Sequence, residues 1–297
     1  MCDESLARLS DVTKRFGGTV ALDGFSLDVR PGELLAVLGP NGAGKTTAIS
    51  LLLGLLQPDA GSASLFGRPP LEVATRRRVG VMTQEVTLDP LLRAKEHIDL
   101  VSSYYPAPLP LAEVLELTHT TELANRPYGA LSSGQKRQVQ FAMAVCGRPQ
   151  LLFLDEPTVG LDVQAREALW RTVRGLMAEG RSIVLTTHYL EEAEALADRV
   201  AVLAKGRLIT SGTVEEMRSL VSRKRIVCRT SLAAEEVGAW PDVLAVNGED
   251  HHLHITASNA ETVVRRLLAA DEGLADLEVQ RAGLQEAFTE LTQEGAE

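Results

Sequence analysis

The sequence predicts an α/β fold built on a mainly parallel sheet, followed by a smaller α+β unit. Three observations lead to this prediction. Short apolar runs alternate with helical stretches through residues 1–220, which is the pattern of α/β layers. Most of these runs are apolar at nearly every position, as expected for strands that a parallel sheet buries on both faces. From about residue 222 onward, shorter strands and helices follow in a different order.

Five apolar runs are the predicted strands of the first unit, and helical sequences lie between them. The runs are ELLAVLG (33–39), VGVMTQ (79–84), LLFLD (151–155), SIVLTTH (182–188) and RVAVLAKG (199–206). The helical sequences include KTTAISLLLGLL (45–56) and AREALWRTVRGLMAEG (165–180). Residues 85–130 interrupt this alternation with several prolines and the helical LAEVLELT, so we expect a small, mainly helical insertion there.

We expect residues 1–221 to form the larger unit and residues 222–297 a separate small one. In the small unit, RIVCRT, VLAVNGEDHHLHIT and ADLEVQRA predict strands, the second being a hairpin that turns at Asn247-Gly248. LAAEEVGAW and NAETVVRRLLAAD predict helices, the latter capped by Asn259, and LQEAFTEL predicts a closing helix. The order βαββαβ is that of a ferredoxin-like unit.

Composition argues against several classes of protein. The formal net charge of −10 disfavours a general nucleic-acid surface, which needs a basic face. The longest apolar runs, such as LLLGLL (51–56), are too short to span a bilayer, and the acidic start MCDESLARLS does not resemble a signal peptide. The three cysteines are far apart, so we expect neither a zinc site nor a disulfide framework.

The stretch GPNGAGKT fits the pattern G-x-x-x-x-G-K-[ST] from Gly39 to Thr46. It follows a predicted strand and begins a predicted helix, so its backbone N–H groups and the helix N-terminus would converge on phosphates. Lys45 would reach the β- and γ-phosphates, and the Thr46 hydroxyl would ligate Mg²⁺. The alternative is a glycine-rich turn with a lysine by chance, which the flanking strand and helix disfavour.

Polar residues end three of the predicted strands, at the sheet edge where ligands bind in α/β folds. In LLFLDEP, Asp155 suits a water-mediated contact to Mg²⁺, and Glu156 suits a general base that polarises the attacking water. A solvated strand end is the alternative interpretation of this pair. His188 could hydrogen-bond a γ-phosphate oxygen or serve a structural role, and the Gln84 amide could contact Mg²⁺ or water.

The stretch LSSGQ (131–135) begins another helix. Ser132 and Gln135 have the spacing of a capping box, which by itself is a purely structural device. That interpretation leaves Gly134 unexplained, because glycine inside a helix costs about 0.5–1 kcal/mol relative to alanine. We therefore expect a close backbone approach at Gly134.

Taken together, GPNGAGKTT, VMTQ, LSSGQ, LLFLDEP, VGLD and TTH resemble the ATP-binding subunit of an ABC transporter, over residues 5–220. The resemblance implies a P-loop ATPase of the ABC type with a helical signature subdomain at about 85–150, which uses ATP and Mg²⁺. It also implies a homodimer, or a dimer with a paralogous subunit, stacked head to tail with ATP at the interface. The signature turn of one subunit would then complete the ATP site of the other.

The resemblance also assigns roles residue by residue. It implies a catalytic role for Lys45, Gln84, Glu156 and His188, and metal contacts for Thr46, Gln84 and Asp155. Phe16 would stack on adenine, where tyrosine is commoner, and Asp162 in VGLD would help to align the water. The residues implied to contact nucleotide are Phe16, Gly39, Pro40, Asn41, Gly42, Ala43, Gly44, Lys45, Thr46, Thr47, Ser132, Ser133, Gly134, Gln135 and Asp162. The family's usual signature is LSGGQ, so Ser133 is a departure that we expect to be tolerated.

TTHYLEEAEALADRVAVLAKGRLITSGT and LQEAFTELT look like the ATPase subunits of bacterial ABC-2 type exporters, which move drugs, antibiotics, lipids, polysaccharides or Na⁺. The resemblance implies a separate membrane permease and a location on the cytoplasmic face of the inner membrane. One alternative is a soluble ABC ATPase acting on ribosomes or DNA, which the single cassette and the acidic charge disfavour. Another is a regulator that does not hydrolyse ATP, which the intact Lys45, Asp155, Glu156 and His188 disfavour.

Overall fold

The computed structural model describes residues 5–84, 86–220, 224–249 and 252–281. The chain forms two compact units, one ending at Thr213 and the other beginning at Val214. None of the helices in the described ranges is long and apolar enough to cross a membrane.

The first unit combines an antiparallel sheet with a larger, mainly parallel one. Its strands are β1 (Ala7–Phe16), β2 (Thr19–Val29), β3 (Leu34–Leu38), β4 (Ala60–Leu65), β5 (Val79–Met82), β6 (Leu151–Asp155), β7 (Ser182–Thr187), β8 (Arg199–Ala204) and β9 (Arg207–Thr213). Its helices are α1 (Lys45–Leu52), α2 (Val73–Arg76), α3 (Ala94–Ser102), α4 (Leu111–Leu117), α5 (Ser133–Val145), α6 (Val163–Ala178) and α7 (Leu190–Leu196). Short 3₁₀ turns lie at Thr121–Leu123 and Tyr128–Ala130.

The parallel sheet confirms the predicted α/β fold. Its strand order is β5-β6-β7-β3-β8-β9, and every neighbouring pair is parallel except β8 and β9. All five predicted strands are present as β3, β5, β6, β7 and β8, each ending at or before the predicted boundary. The second sheet, β2-β1-β4, was not among the predicted strands. Its strands alternate buried with exposed residues and carry many polar side chains, so they lack the continuous apolar signal of β3 or β6.

The parallel sheet separates two hydrophobic cores. Alternate residues of β6 face opposite sides, as the strand geometry requires. Phe153 packs in a core that contains residues of β1, β2 and α1, such as Leu22 and Leu51. Leu154 packs in a core formed with helices α3 to α6, which contribute residues such as Ile98 and Phe141. The predicted helical insertion therefore covers the second face of the sheet.

The second unit has the predicted βαββαβ order. It contains α8 (Val214–Leu220), β10 (Lys224–Arg229), α9 (Ala234–Gly238), β11 (Val243–Glu249), β12 (His252–Ala257), α10 (Ala260–Ala270) and β13 (Ala275–Arg281). The four strands form an antiparallel sheet in the order β11-β12-β10-β13, which is the ferredoxin-like arrangement. Ile226, Ile255 and Leu267 are fully buried between this sheet and its helices.

Two local predictions for this unit can be compared with the structure. Asn259 caps α10 as predicted, since its side chain accepts the N–H of Thr262. The predicted turn at Asn247-Gly248 is wrong: both residues lie within β11 and pair with His254 and Leu253. The register that packs Val246 and Leu253 against the core overrides the local turn preference of Asn-Gly. The predicted closing helix LQEAFTEL (284–291) lies outside the described residues.

Candidate active site

The phosphate-loop sequence lies between β3 and α1, at the carboxyl end of the parallel sheet. Gly44 is the N-cap of α1, has a φ of 108° and makes no side-chain cap. A Cβ atom on Gly44 would lie 2.7 Å from the Ala21 carbonyl oxygen of β2, so only glycine fits this close approach. The backbone N–H groups of the first turn of α1 are therefore left without a side-chain cap, as a phosphate-binding helix end requires.

Lys45 is held against the phosphate loop. Its Nζ donates hydrogen bonds to the carbonyl oxygens of Gly39 at 2.7 Å and Pro40 at 3.2 Å. The side chain is buried, and this burial lowers the pKa of Lys45, while the carboxylates of Glu156 and Asp155 act in the opposite direction. The ammonium group thus lies beside the loop with nearby negative charge that favours its protonated form.

Asp155 ends β6 beneath the loop, and both of its carboxylate oxygens accept hydrogen bonds. Thr46 Oγ1 donates to one oxygen at 3.3 Å, and Thr186 Oγ1 of the neighbouring strand β7 donates to the other. The hydroxyl of Thr46 and the carboxylate of Asp155 form the kind of oxygen-only donor set that suits Mg²⁺. Sequence reasoning predicted both residues but not the contribution of Thr186.

Glu156 follows Asp155 in a left-handed backbone conformation with a φ of 49°. Its N–H donates to the Thr186 carbonyl oxygen at 2.9 Å, which fixes the turn after β6. Its carboxylate is largely buried, and Oε1 lies 3.3 Å from Nδ1 of His188. His188 follows β7 and is more exposed than Glu156, so the pair extends from the buried strand end toward solvent.

Lys45, Thr46, Glu156 and His188 lie around one open cavity of about 350 Å³, whereas Asp155 does not line it. The residues that line it are Ala21, Asn41, Gly42, Ala43, Gly44, Lys45, Thr46, Thr47, Gln84, Glu156 and His188. The structure thus brings together the phosphate loop and three residues that end or follow separate strands. Phe16, Asp162 and the LSSGQ residues do not line this cavity. Phe16 ends β1 with its ring about half exposed, and Lys14 Nζ lies 5.7 Å from the ring centroid.

The LSSGQ turn begins α5 with the predicted capping box. Ser132 Oγ accepts the N–H of Gln135 at 3.2 Å, and Gln135 Oε1 accepts the N–H of Ser132 at 3.1 Å. A Cβ atom on Gly134 would lie 3.0 Å from the Gly160 carbonyl oxygen, so the close approach expected at Gly134 comes from the VGLD segment of the same chain. Asp162 of that segment caps α6, where its carboxylate accepts the N–H of Ala165 at 2.8 Å.

Arg137 is a residue of this region that sequence reasoning missed. Its buried guanidinium donates to the carbonyl oxygens of Thr83 at 2.9 Å, Gln84 at 3.1 Å and Asp155 at 3.0 Å, and also to that of Glu156. A signal was present, because Arg137 lies on the same helix face as the apolar residues 4, 7 and 8 positions later, Phe141, Ala144 and Val145. A basic residue on a buried helix face requires partners.

Comparisons with known proteins agree with this geometry. The family model described as "ABC transporter" matches residues 22–159. The Nod factor export ATP-binding protein I of Burkholderia orbicola is 44% identical over 209 residues, covering 68% of this chain and 69% of that protein. The daunorubicin resistance ATP-binding protein DrrA2 of Streptomyces coeruleorubidus is 36% identical over 311 aligned positions, covering 98% of this chain and 96% of that protein.

Solved structures give the same result. The structure of an ATP-binding subunit of an ABC transporter superposes with a TM-score of 0.67 at 29% identity, covering 73% of this chain and 93% of that one. The dimeric structure of a bacterial ABC transporter cassette superposes with a TM-score of 0.64 at 26% identity, covering 70% of this chain and 98% of that one. The resemblance noted in the sequence is therefore confirmed, and the chain belongs to the ABC transporter family as an ATP-binding subunit, an ATPase of the class that powers transport.

Proposed function

We propose that the chain binds MgATP in the 350 Å³ cavity, dimerises around it, and hydrolyses it to power export through a separate ABC-2 type membrane permease. The observation that carries this proposal is the meeting of the uncapped α1 N-terminus with Lys45, Glu156 and His188 at one cavity. A phosphate-binding helix end and a buried carboxylate beside a histidine are the groups that hydrolysis of a phosphoanhydride needs.

Within this site, the free backbone N–H groups at the N-terminus of α1 and the Lys45 ammonium bind the phosphates. Lys45 exchanges its contacts with the carbonyls of Gly39 and Pro40 for phosphate oxygens. Glu156 acts as the general base on the attacking water, and His188, 3.3 Å away, holds the carboxylate and the water in place. Gln84 also lines the cavity, where its amide can contact Mg²⁺ or the attacking water.

Mg²⁺ fits the oxygen donors of Thr46, Asp155 and Gln84. Thr46 would hold the ion directly, Asp155 would hold it through a water molecule, and Gln84 would be a further oxygen donor. The ion would neutralise charge on the β- and γ-phosphates. The hydrogen bond from Thr186 holds the Asp155 carboxylate in the orientation that this contact needs.

Dimerisation explains why the LSSGQ residues do not line the cavity of their own chain. In a head-to-tail dimer, Ser132, Ser133, Gly134 and Gln135 complete the partner's ATP site, Asp162 lies at the interface, and Phe16 stacks on adenine. The dimeric cassette that superposes on residues of this chain supports this arrangement. Phe16 is about half exposed, which leaves part of its side chain accessible for stacking.

The names of the similar proteins support export as the transport direction. One is described as a Nod factor export protein and another as a daunorubicin resistance protein. By analogy, the chain works on the cytoplasmic face of the bacterial inner membrane, attached to its permease. We further propose that residues 1–221 form the ATPase domain and residues 222–297 an accessory domain; the compact units divide at Thr213 and Val214.

The first test compares the parent with Glu156→Gln. We expect hydrolysis to fall at least about 100-fold, because the general base is lost while the shape is kept. The variant should also accumulate an MgATP-bound dimer, detected by size-exclusion chromatography with light scattering. Glu167→Gln, at an exposed position on α6, is the matched control and should leave turnover unchanged. Undiminished turnover of Glu156→Gln would refute the role of Glu156.

The second test identifies the partner. Tagged Glu156→Gln protein is incubated with MgATP and solubilised membranes of the source organism, and captured proteins are identified by mass spectrometry. We expect a stoichiometric protein with several membrane-spanning helices. Recovery of ribosomes or nucleic-acid proteins without a membrane protein would instead favour the soluble ABC ATPase.

A further inference from the structure

Arg137 connects the helix of the LSSGQ turn to two segments that line the cavity. Its Nη1 donates to the carbonyls of Thr83 and Gln84, which follow β5. Its Nη2 donates to the carbonyls of Asp155, the last residue of β6, and Glu156, which follows that strand. Gln84 and Glu156 both line the cavity. One side chain on α5 therefore holds the backbone of both residues.

The contacts use a property that distinguishes arginine from lysine. The planar guanidinium directs separate donors from its two ends, so one group can bridge two segments. A lysine ammonium is a point charge on a flexible stem and cannot hold both segments in a fixed relation. Gln140, one turn further along α5, accepts another hydrogen bond from Nη1 at 3.1 Å and fixes the group on its helix.

The Glu156 backbone is fixed from both sides. Its N–H donates to Thr186 of β7, and its carbonyl accepts from Arg137 of α5. These two bonds oppose the strain of the left-handed φ of 49°, a conformation that residues with a Cβ atom rarely adopt. A shift of α5 therefore acts on the residue that carries the general base.

The Arg137 guanidinium lies in a buried environment. Burial lowers the pKa of the Arg137 guanidinium, and the Asp155 and Glu156 carboxylates oppose that shift. Its Nε is buried and has no hydrogen-bond partner within the described residues. The group is thus held by uncharged carbonyl and amide oxygens rather than by a paired carboxylate.

We propose that Arg137 is a positioning residue that makes the two ATP sites of the dimer interdependent. This inference rests on the proposed dimer, in which the LSSGQ turn of one subunit contacts ATP bound to the other. That contact moves α5, and Arg137 transmits the movement to Gln84 and Glu156 at the ATP site of its own subunit. Nucleotide at one site thereby sets the catalytic geometry at the other.

The test measures ATP hydrolysis against ATP concentration for the parent, Arg137→Gln and Arg137→Lys. For Arg137→Gln we expect kcat to fall about 10- to 100-fold, since a small misplacement of reacting groups has effects of this size. The equilibrium affinity for a fluorescent ATP analogue should stay within about 3-fold of the parent, because the phosphate loop is untouched. The Hill coefficient of the parent should exceed 1 and fall to about 1 in the variant.

Two further variants keep the test decisive. Arg137→Lys retains the buried charge, so we expect it to fold even if Arg137→Gln does not. We expect Arg137→Lys to retain part of the kcat of the parent but to lose the cooperativity between the ATP sites. Arg171→Gln changes an exposed arginine on α6 and should behave as the parent. A purely structural role would lower melting temperature, affinity and kcat together, without changing the Hill coefficient.

The outcomes separate this inference from the proposed function. If the parent does not hydrolyse ATP, or if its hydrolysis is unchanged in Glu156→Gln, the proposed function is contradicted. If the parent shows hydrolysis that depends on Glu156, but the Arg137 variants keep the kcat and the Hill coefficient of the parent, only the role of Arg137 is overturned. A parent whose hydrolysis shows no cooperativity would also overturn it, because the sites would then be independent.

Discussion

Helices α1 and α5 both begin at an end suited to an anion, but their first turns differ. The N-cap of α1 is Gly44 in a left-handed conformation without a side-chain cap. The N-cap of α5 is Ser132, whose capping box with Gln135 already uses two backbone N–H groups. The N-terminus of α1 therefore has backbone N–H groups free to bind a ligand. The N-terminus of α5 is instead a turn whose conformation is already fixed by its own capping box.

Because of this difference, we expect the α1 end to govern nucleotide binding and the α5 end to govern the rate of ATP hydrolysis. Groups that can bind phosphate directly lie around α1, including Lys45 and the uncapped backbone. The LSSGQ turn contributes a fixed backbone geometry instead. Arg137, on the same helix, connects this turn to the end of β6 through its hydrogen bond to the Asp155 carbonyl oxygen. We expect changes at α1 to abolish nucleotide binding, and changes at α5 to alter turnover with binding retained.

Lys45→Ala should have the largest effect. The substitution removes the buried ammonium beside the phosphate loop. We expect hydrolysis to fall by about 100-fold or more, the order of magnitude found when one hydrogen-bond donor is removed from a preorganised site. ATP affinity should fall as well, measured by titration with a fluorescent analogue. Lys95→Ala, on the half-exposed face of α3, should bind as the parent does. Unchanged affinity in Lys45→Ala would remove the contrast between the two helix ends.

Gly134→Ala should have an intermediate effect confined to turnover. A Cβ atom would lie 3.0 Å from the Gly160 carbonyl oxygen, so the turn and the VGLD segment must separate slightly. We expect kcat to fall about 10-fold through this misplacement, with ATP affinity unchanged. Stability should change little, because the better helix propensity of alanine opposes the strain.

Gly175→Ala is the matched control for this prediction. Gly175 is an exposed residue of α6, and no atom of the described residues would lie within 4 Å of a Cβ atom there. Alanine should stabilise the protein by about 0.5–1 kcal/mol without changing turnover. If Gly134→Ala behaved in the same way, the close approach of Gly160 would have no functional meaning.

The two helix ends also differ in how far their functional residues could be predicted from the sequence. Lys45, Gln84, Glu156 and His188 were predicted to lie together because each follows a strongly apolar strand or belongs to a dense local motif. The roles of Thr186 and Arg137 depend on which strands and helices become neighbours, and local patterns do not contain that information. The prediction of a turn at Asn247-Gly248 was wrong for a related reason, because packing within the small unit determines the strand register.

Ser133→Gly should have the smallest effect. Ser133 is the first helical residue of α5, and a Cβ atom on Gly160 would lie 3.7 Å from its Oγ, an ordinary van der Waals distance. We therefore expect turnover within about 3-fold of the parent, and a stability loss of about 0.5 kcal/mol from the greater freedom of glycine in the unfolded chain. Steady-state kinetics and urea unfolding measure the two effects, and Ser133→Ala separates the hydroxyl from the Cβ atom. If turnover instead rose at least about 10-fold in both variants, the hydroxyl would oppose closure, and side-chain chemistry as well as shape would govern the α5 end.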